Sequence, residues 1–85
     1  LITEKMKKLL KKSAAAPGGQ ILITSDGESG TYIQIGSETV AKEYPDRREY
    51  AVWEEVLNAC LKEKYIERKS EAICVITNAG YKVVE

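Results

Sequence analysis

The chain has 85 residues, enough for one small domain, and its hydrophobic share of 44% is ordinary for a chain that folds. Thirteen basic and thirteen acidic residues give a net charge of zero, which argues against bulk attraction to nucleic acid or anionic lipid. The chain has no His, the commonest general base, and its two Cys are too few for a disulfide framework or a structural zinc site, so we expect neither an enzyme nor a metalloprotein.

The charges are unevenly spread along the chain. Residues 1–16 hold five Lys against one Glu, whereas residues 26–55 hold eight acidic against three basic residues. No apolar run approaches the length of about 18 residues that a membrane span needs, and no signal peptide is visible, so we expect a cytoplasmic protein. Because the chain begins with Leu1 rather than Met, we expect residues 1–85 to be a single domain excised from a larger protein of bacterial style.

The N-terminal segment has the pattern of an amphipathic helix that begins at a Thr3 cap and runs to about Ala16. Its apolar positions recur at helical spacing and form an inner stripe of Ile2, Met6, Leu9 and Leu10. Pro17-Gly18-Gly19 ends the helix, because Gly suits the position just past a helix and Pro lacks an amide hydrogen.

Two short strands are predicted next. Residues 20–25 alternate, with Ile21 and Ile23 on one face, and residues 31–35 form the returning strand with Ile33 and Ile35 inward. The Asp26–Gly30 segment between them has turn composition and lacks the Asp spacing of a calcium loop. A second turn at residues 36–38 and a short segment at residues 39–41 lead towards Pro45.

The strongest local pattern predicts a long helix of about 18 residues that begins at an Asp46 cap and fades near Lys64. Glu49 completes a capping box with Asp46. The apolar face of this helix consists of Tyr50, Trp53, Leu57, Cys60 and Leu61. Its flank is widened by Val52, Val56 and Ala59, so the helix is expected to pack against two elements.

The C-terminal segment predicts a hairpin and a last helical turn. Residues 65–69 and 72–76 are the two strands, joined by a Ser70-Glu71 turn. Thr77 can cap the final turn, in which Tyr81 and Val84 are expected to face inward. Cys60 and Cys74 fall at predicted core positions, where free thiols are common in reducing compartments.

The run from Leu61 to Glu67, the following hairpin and the run from Ile76 to Tyr81 together resemble a winged-helix domain. The resemblance covers roughly residues 46–85. It implies an α+β fold in the order helix, hairpin, long helix, second hairpin as the wing, and short C-terminal helical turn. One difference stands out, since a strand hairpin occupies the place where a helix-turn-helix has the helix before its recognition helix.

Two functions from different classes fit this pattern. The resemblance implies a possible DNA-binding domain of a transcriptional regulator, for which the candidate contacts are Arg47, Arg48, Lys62, Arg68 and Lys69. Glu49 and Glu55 on the long helix oppose that function, because a carboxylate near a phosphate is repulsive.

The other function, which the charge balance favours slightly, is a non-catalytic accessory domain that binds another protein, another domain or a second copy of itself. Its candidate interface consists of apolar residues left over once one core is filled, namely Tyr32, Val52, Ile73 and Val75. The alternative is that these four residues pack beneath the first helix and hairpin. We expect no cofactor and no small-molecule site.

Overall fold

The computed structural model describes residues 2–28 and 30–85, so that Leu1 and Ser29, which belongs to the predicted Asp26–Gly30 turn, lie outside the described residues. Three α-helices and five strands occur in the order α1 (Glu4–Ala15), a 3-10 turn (Pro17–Gly19), β1 (Gln20–Asp26), β2 (Gly30–Ile35), β3 (Glu38–Lys42), α2 (Arg47–Lys62), β4 (Ile66–Arg68), β5 (Ile73–Ile76) and α3 (Asn78–Val84). The α+β fold class is confirmed.

The two predicted hairpins belong to one antiparallel sheet with strand order β3-β2-β1-β5-β4. β1 is the central strand, because Ile21 lies opposite Ile35 on one side and opposite Cys74 on the other. The short segment predicted at residues 39–41 is the middle of β3, an edge strand. Three strands therefore separate α1 from α2, an order that differs from the standard winged helix.

The helices all pack on one face of this sheet. The strand residues buried beneath them are Ile21, Ile33, Ile35, Ala41, Ile66, Cys74 and Ile76. Because successive side chains of a strand point to opposite faces, the residues next to them in the chain point to the other face of the sheet. The helices contribute Met6, Leu9 and Leu10 from α1 and Tyr50, Trp53, Leu57 and Cys60 from α2. The predicted inner faces of both helices are thus confirmed. Burial of these side chains, at about 1.5–3 kcal/mol each, is the main stabilising contribution.

The long helix spans the width of the sheet. It follows the edge strand β3 and precedes the opposite edge strand β4, and it contacts both. Its 16 residues make it about 24 Å long, while five strands are about 20 Å wide. Asp46 caps it as predicted, since its carboxylate accepts a hydrogen bond of 3.1 Å from the amide of Glu49.

Around the second hairpin, the predicted helix and strands are one or two residues longer than the observed ones. α2 ends at Lys62 rather than near Lys64, because Lys64 has a left-handed backbone with φ of 65°. That residue redirects the chain, so β4 begins at Ile66 instead of Tyr65. β5 likewise begins at Ile73, one residue later than predicted.

Thr77 caps α3 as predicted, but the inward position of Tyr81 is wrong. The Thr77 hydroxyl accepts from the amide of Gly80 at 3.2 Å and donates to the carbonyl of Lys64 at 2.7 Å. Gly80 rather than Tyr81 faces the interior and lies against the carbonyl of Tyr65. Tyr81 is consequently turned outward by about 100° and is 39% exposed, while Val84 packs against the core as predicted.

Candidate functional site

The helices leave the opposite face of the sheet uncovered, and we call this surface the open face. Its side chains alternate along the strands with those of the core. They are Gln20, Leu22, Thr24 and, at the turn end, Asp26 from β1, Tyr32 and Gln34 from β2, Thr39 and Lys42 from β3, Glu67 from β4, and Ile73 and Val75 from β5. Within residues 2–28 and 30–85, no helix or strand packs on this face.

Four apolar side chains form a contiguous patch across the open face. Leu22 lies directly opposite Ile73, and Val75 is two residues further along the same strand. Tyr32 is the diagonal neighbour of Leu22, because it pairs with Thr24. All four side chains are half-buried, yet none belongs to the core or packs against it. We call Leu22, Tyr32, Ile73 and Val75 the apolar patch.

Sequence reasoning placed three of these residues in the candidate interface and missed Leu22. The signal was present, since Leu22 stands between the inward residues Ile21 and Ile23 and must point the other way. What could not be read from the sequence was the pairing of β1 with β5, which puts Leu22 at the centre of the patch.

Val52, the fourth predicted interface residue, lies elsewhere. It is on the outer surface of α2, where it is 37% exposed. There it lines a shallow groove of about 200 Å³ between α1 and α2, together with Thr3, Met6 and Val56. The sheet and its core separate this groove from the apolar patch, so the four predicted residues do not form one surface.

A hollow of about 450 Å³ adjoins the apolar patch near the start of β1. It is lined by Pro17, Gln20, Leu22, Gly36 and Ser37. The hollow is open because β2 is followed by Gly36, which has no side chain and turns the chain with a φ of 63°. Leu22 belongs to both features, so the hollow and the patch form one continuous relief.

Charges on the open face lie at its edges. Glu67 is opposite Val75 on the outer strand β4, and the Lys69 ammonium lies 3.4 Å from its carboxylate. Lys42 is opposite Tyr32 on the other outer strand, β3. The interior positions of the face carry only apolar, hydroxyl and amide side chains, so another neutral surface can cover them without burying a charge.

The candidate DNA contacts do not form one basic surface. Arg48 at the start of α2 and Lys62 at its end are separated by about 21 Å along the helix. Exposed Glu54 and Glu55 lie between them. Arg68 donates at 3.2 Å to the carbonyl of Glu71, and the Lys69 ammonium is occupied by Glu67.

The lysines of α1 partly serve the packing of the helix layer. The Lys12 ammonium lies 2.8 Å from a carboxylate oxygen of Glu38 on β3. The Lys5 ammonium lies 4.9 Å from the centre of the Trp53 ring, a cation–π contact. A groove of about 400 Å³ between α1 and α2 mixes lysines with Glu38 and Glu49, so it presents no single charge to a ligand.

Among the described residues, no group of three or more His, Cys, Asp or Glu side chains is placed to hold a metal ion. No helix in residues 2–28 and 30–85 is long and apolar enough to cross a membrane. The Tyr50 hydroxyl is held in its protonated form, because burial and then the nearby carboxylates of Glu54 and Glu43 raise its pKa.

Both thiols are free and buried, as predicted. Burial raises the pKa of the Cys60 thiol to about 11. Burial also raises the pKa of Cys74, partly offset by the positive charge of Arg68. Because the thiolate is the reactive form, neither residue is a nucleophile at neutral pH.

We therefore expect both thiols to resist a soluble disulfide reagent at pH 7 to 8 in the native protein. Their labelling is expected to follow the rate of unfolding, and to be immediate in concentrated guanidinium chloride. The release of thiolate measured by absorbance checks this expectation. Rapid native labelling of Cys60 would contradict its placement on the buried face of α2.

The chain matches no protein-family model, no curated protein and no solved structure.

Proposed function

We propose that this chain is a non-catalytic protein-binding module and that the open face of its sheet is the binding surface. The observation that carries the proposal is the apolar patch of Leu22, Tyr32, Ile73 and Val75, which lies outside the core on a face without a helix. An antiparallel sheet with one wet face normally alternates between apolar and polar residues. β5 departs from that rule, since Ile73 and Val75 on the open face alternate with buried Cys74 and Ile76.

The composition of the open face also supports protein binding. The centres of protein–protein interfaces are depleted in charged residues and enriched in aromatic ones. The open face has the same composition, because Tyr32 belongs to the apolar patch and the charged residues lie at the edges. A contiguous apolar surface with a polar margin is typical of a docking site. The nearby hollow makes the surface uneven, so a partner can bind it with shape complementarity.

The proposal includes a winged-helix-like scaffold for the second half of the chain. α2, the β4–β5 hairpin and α3 follow one another as helix, wing and final helical turn. Strands β1 to β3 replace the helix that precedes a recognition helix and enlarge the sheet. In this proposal the sheet of the scaffold, rather than a recognition helix, provides the binding surface. The domain is an accessory domain of a larger cytoplasmic protein. The two unpaired thiols are in keeping with a reducing compartment.

DNA binding is the second candidate, and the charge distribution favours it less. The outer surface of α2, which would have to approach the phosphates, carries Glu54 and Glu55 between its basic ends. A duplex mobility shift at about 50 mM salt that disappears when Arg68 and Lys69 are changed to Ala would support this candidate and count against ours.

Site-specific photo-crosslinking tests the proposed function in cells. A photo-reactive residue at Gln34 reports on the open face, and the matched control at Glu55 reports on the outer surface of α2. We expect protein adducts from position 34 and none from position 55. Adducts only from position 55 would overturn the assignment of the binding surface.

A further inference from the structure

We infer that the partner on the open face is a second copy of this chain, packed face to face about a two-fold axis parallel to β1. The inference rests on the proposed function, because it names the occupant of the same surface. It is argued from three features of the open face: the residues on the axis, the position of the hollow, and the charges at the edges.

A two-fold axis parallel to the central strand reverses the order of the strands. β1 of one copy then lies over β1 of the other, β5 over β2, and β4 over β3. Along the axis, Gln20, Leu22 and Thr24 each meet their own counterpart, and all three side chains are uncharged. Asp26 lies beyond them, in the last position of β1 before the turn and at the end of the open face.

The hollow receives a side chain from the other copy in this arrangement. Val75 lies on β5, next to β1, and pairs with Gln20 of β1. The hollow at Gly36 lies in the same row on the opposite side of β1, at the end of β2, and is also lined by Gln20. The rotation therefore places Val75 of each copy over the Gly36 hollow of its partner. Both contacts are identical, as a two-fold interface requires.

The edges bring opposite charges together. Lys42 lies in the row of Tyr32 and Thr24 on β3. On the β5 side this row leads to Glu71, because the amide of Ile23 donates to the carbonyl of Ala72 at 2.8 Å and Glu71 is the next residue. Residues 69–72 form the loop from β4 to β5, so Glu71 lies between one and two strands from β1. Lys42 is two strands from β1 on the other side, and the rotation therefore sets Lys42 of each copy near Glu71 of the other, so the dimer holds two such pairs. A two-fold axis across the strands would place β3 over β3 and would separate these residues.

The area of the face sets the expected strength. Five strands and a central strand of seven residues make a face of roughly 20 by 20 Å. Two such faces bury roughly 800 Å² in total, which is below the size of a standard stable interface and in the range of weak, transient ones. We therefore expect a dissociation constant on the order of micromolar rather than nanomolar, with monomer and dimer in measurable exchange.

Charge reversal tests both the occupant and the orientation. Lys42→Glu and Glu71→Lys each create two like-charge pairs in a homodimer, and each is expected to weaken self-association about tenfold at low salt. In an equimolar mixture of the two variants, both pairs are again of opposite sign, so dimer formation is expected to return to the parent level. Sedimentation equilibrium measures the three samples. Glu55→Lys, a reversal on the outer surface of α2, is the matched control and is expected to change nothing.

The result that would overturn the inference is also specific. A mixture that dimerises no better than either variant alone would rule out this orientation. A parent chain with the 11.9 Å radius of gyration of the monomer at every concentration, instead of a rise towards about 15 Å, would rule out the second copy. In that case, adducts from position 34 to a different protein would leave the proposed function standing, whereas a lack of adducts would remove both.

Discussion

The Val75→Glu variant is expected to fold like the parent chain and to lose association on the open face by more than about 100-fold. Val75 is half-buried, packs on no core residue and points away from the helices, so the monomer tolerates a polar side chain there. In the complex, the new carboxylate would be buried beside the partner without a counter-charge, which costs about 3–5 kcal/mol. Circular dichroism checks the fold, and sedimentation checks the association.

Two further variants make this prediction specific. Glu67 lies directly opposite position 75, and like charges at opposed positions destabilise a sheet. Val75→Lys therefore serves as a second variant that attracts Glu67 and should also stay folded while losing association. Val52→Glu, on the outer surface of α2, is the control and should associate normally. Loss of folding in both position 75 variants would show that Val75 belongs to the core.

The Gly80→Ala variant is expected to lose about 2–3 kcal/mol of folding free energy, which lowers the melting temperature by about 10 °C or more. A Cβ at position 80 would overlap the carbonyl oxygen of Tyr65 and lie 2.7 Å from Cγ1 of Ile76. Both groups are held, since the Tyr65 carbonyl accepts the amide of Thr77 at 2.9 Å. α3 must then move away from the β4–β5 hairpin, and the helical preference of Ala offsets only about 1 kcal/mol of this loss.

Gly27→Ala is the matched control for this measurement. A Cβ at position 27 meets no atom within 4 Å, so the change should alter stability by no more than about 0.5 kcal/mol. Thermal unfolding of both variants followed by circular dichroism makes the comparison. Equal melting temperatures for the Gly80 and Gly27 variants would contradict the close approach of α3 to Tyr65.

The helices could be predicted from the sequence because their signals are local. Asp46 and Thr77 are capping residues whose role depends on the next three amides, and both caps are confirmed. The apolar spacing from Tyr50 to Cys60 likewise needs no knowledge of the rest of the fold. Tyr81 could not be placed in this way, since Gly80 faces inward only because the Tyr65 carbonyl lies next to it.

The sheet depends on contacts between residues that are far apart in the sequence. The sequence therefore predicted where the strands lie, but not which strands pair with one another. The pairing of β1 with β5 joins Leu22 to Ile73, fifty-one positions along the chain. Neither alternation nor turn composition specifies such a pairing. The same limit applies to the candidate interface. Ile73 and Val75 stood out because β5 is apolar on both faces, but only the strand order shows that Tyr32 is near them and Val52 is not.

Paramagnetic relaxation of methyl protons by a soluble agent, measured over a concentration series, distinguishes the open face from the outer surface of α2 as the site of association. We expect the methyl groups of Leu22, Ile73 and Val75 to be accessible to the agent in dilute samples and to become protected as the concentration rises. The methyl groups of Val52 should stay equally accessible throughout. Protection of Val52 with no change on the sheet, or no change at either place, would show that the open face is not the surface through which this chain associates.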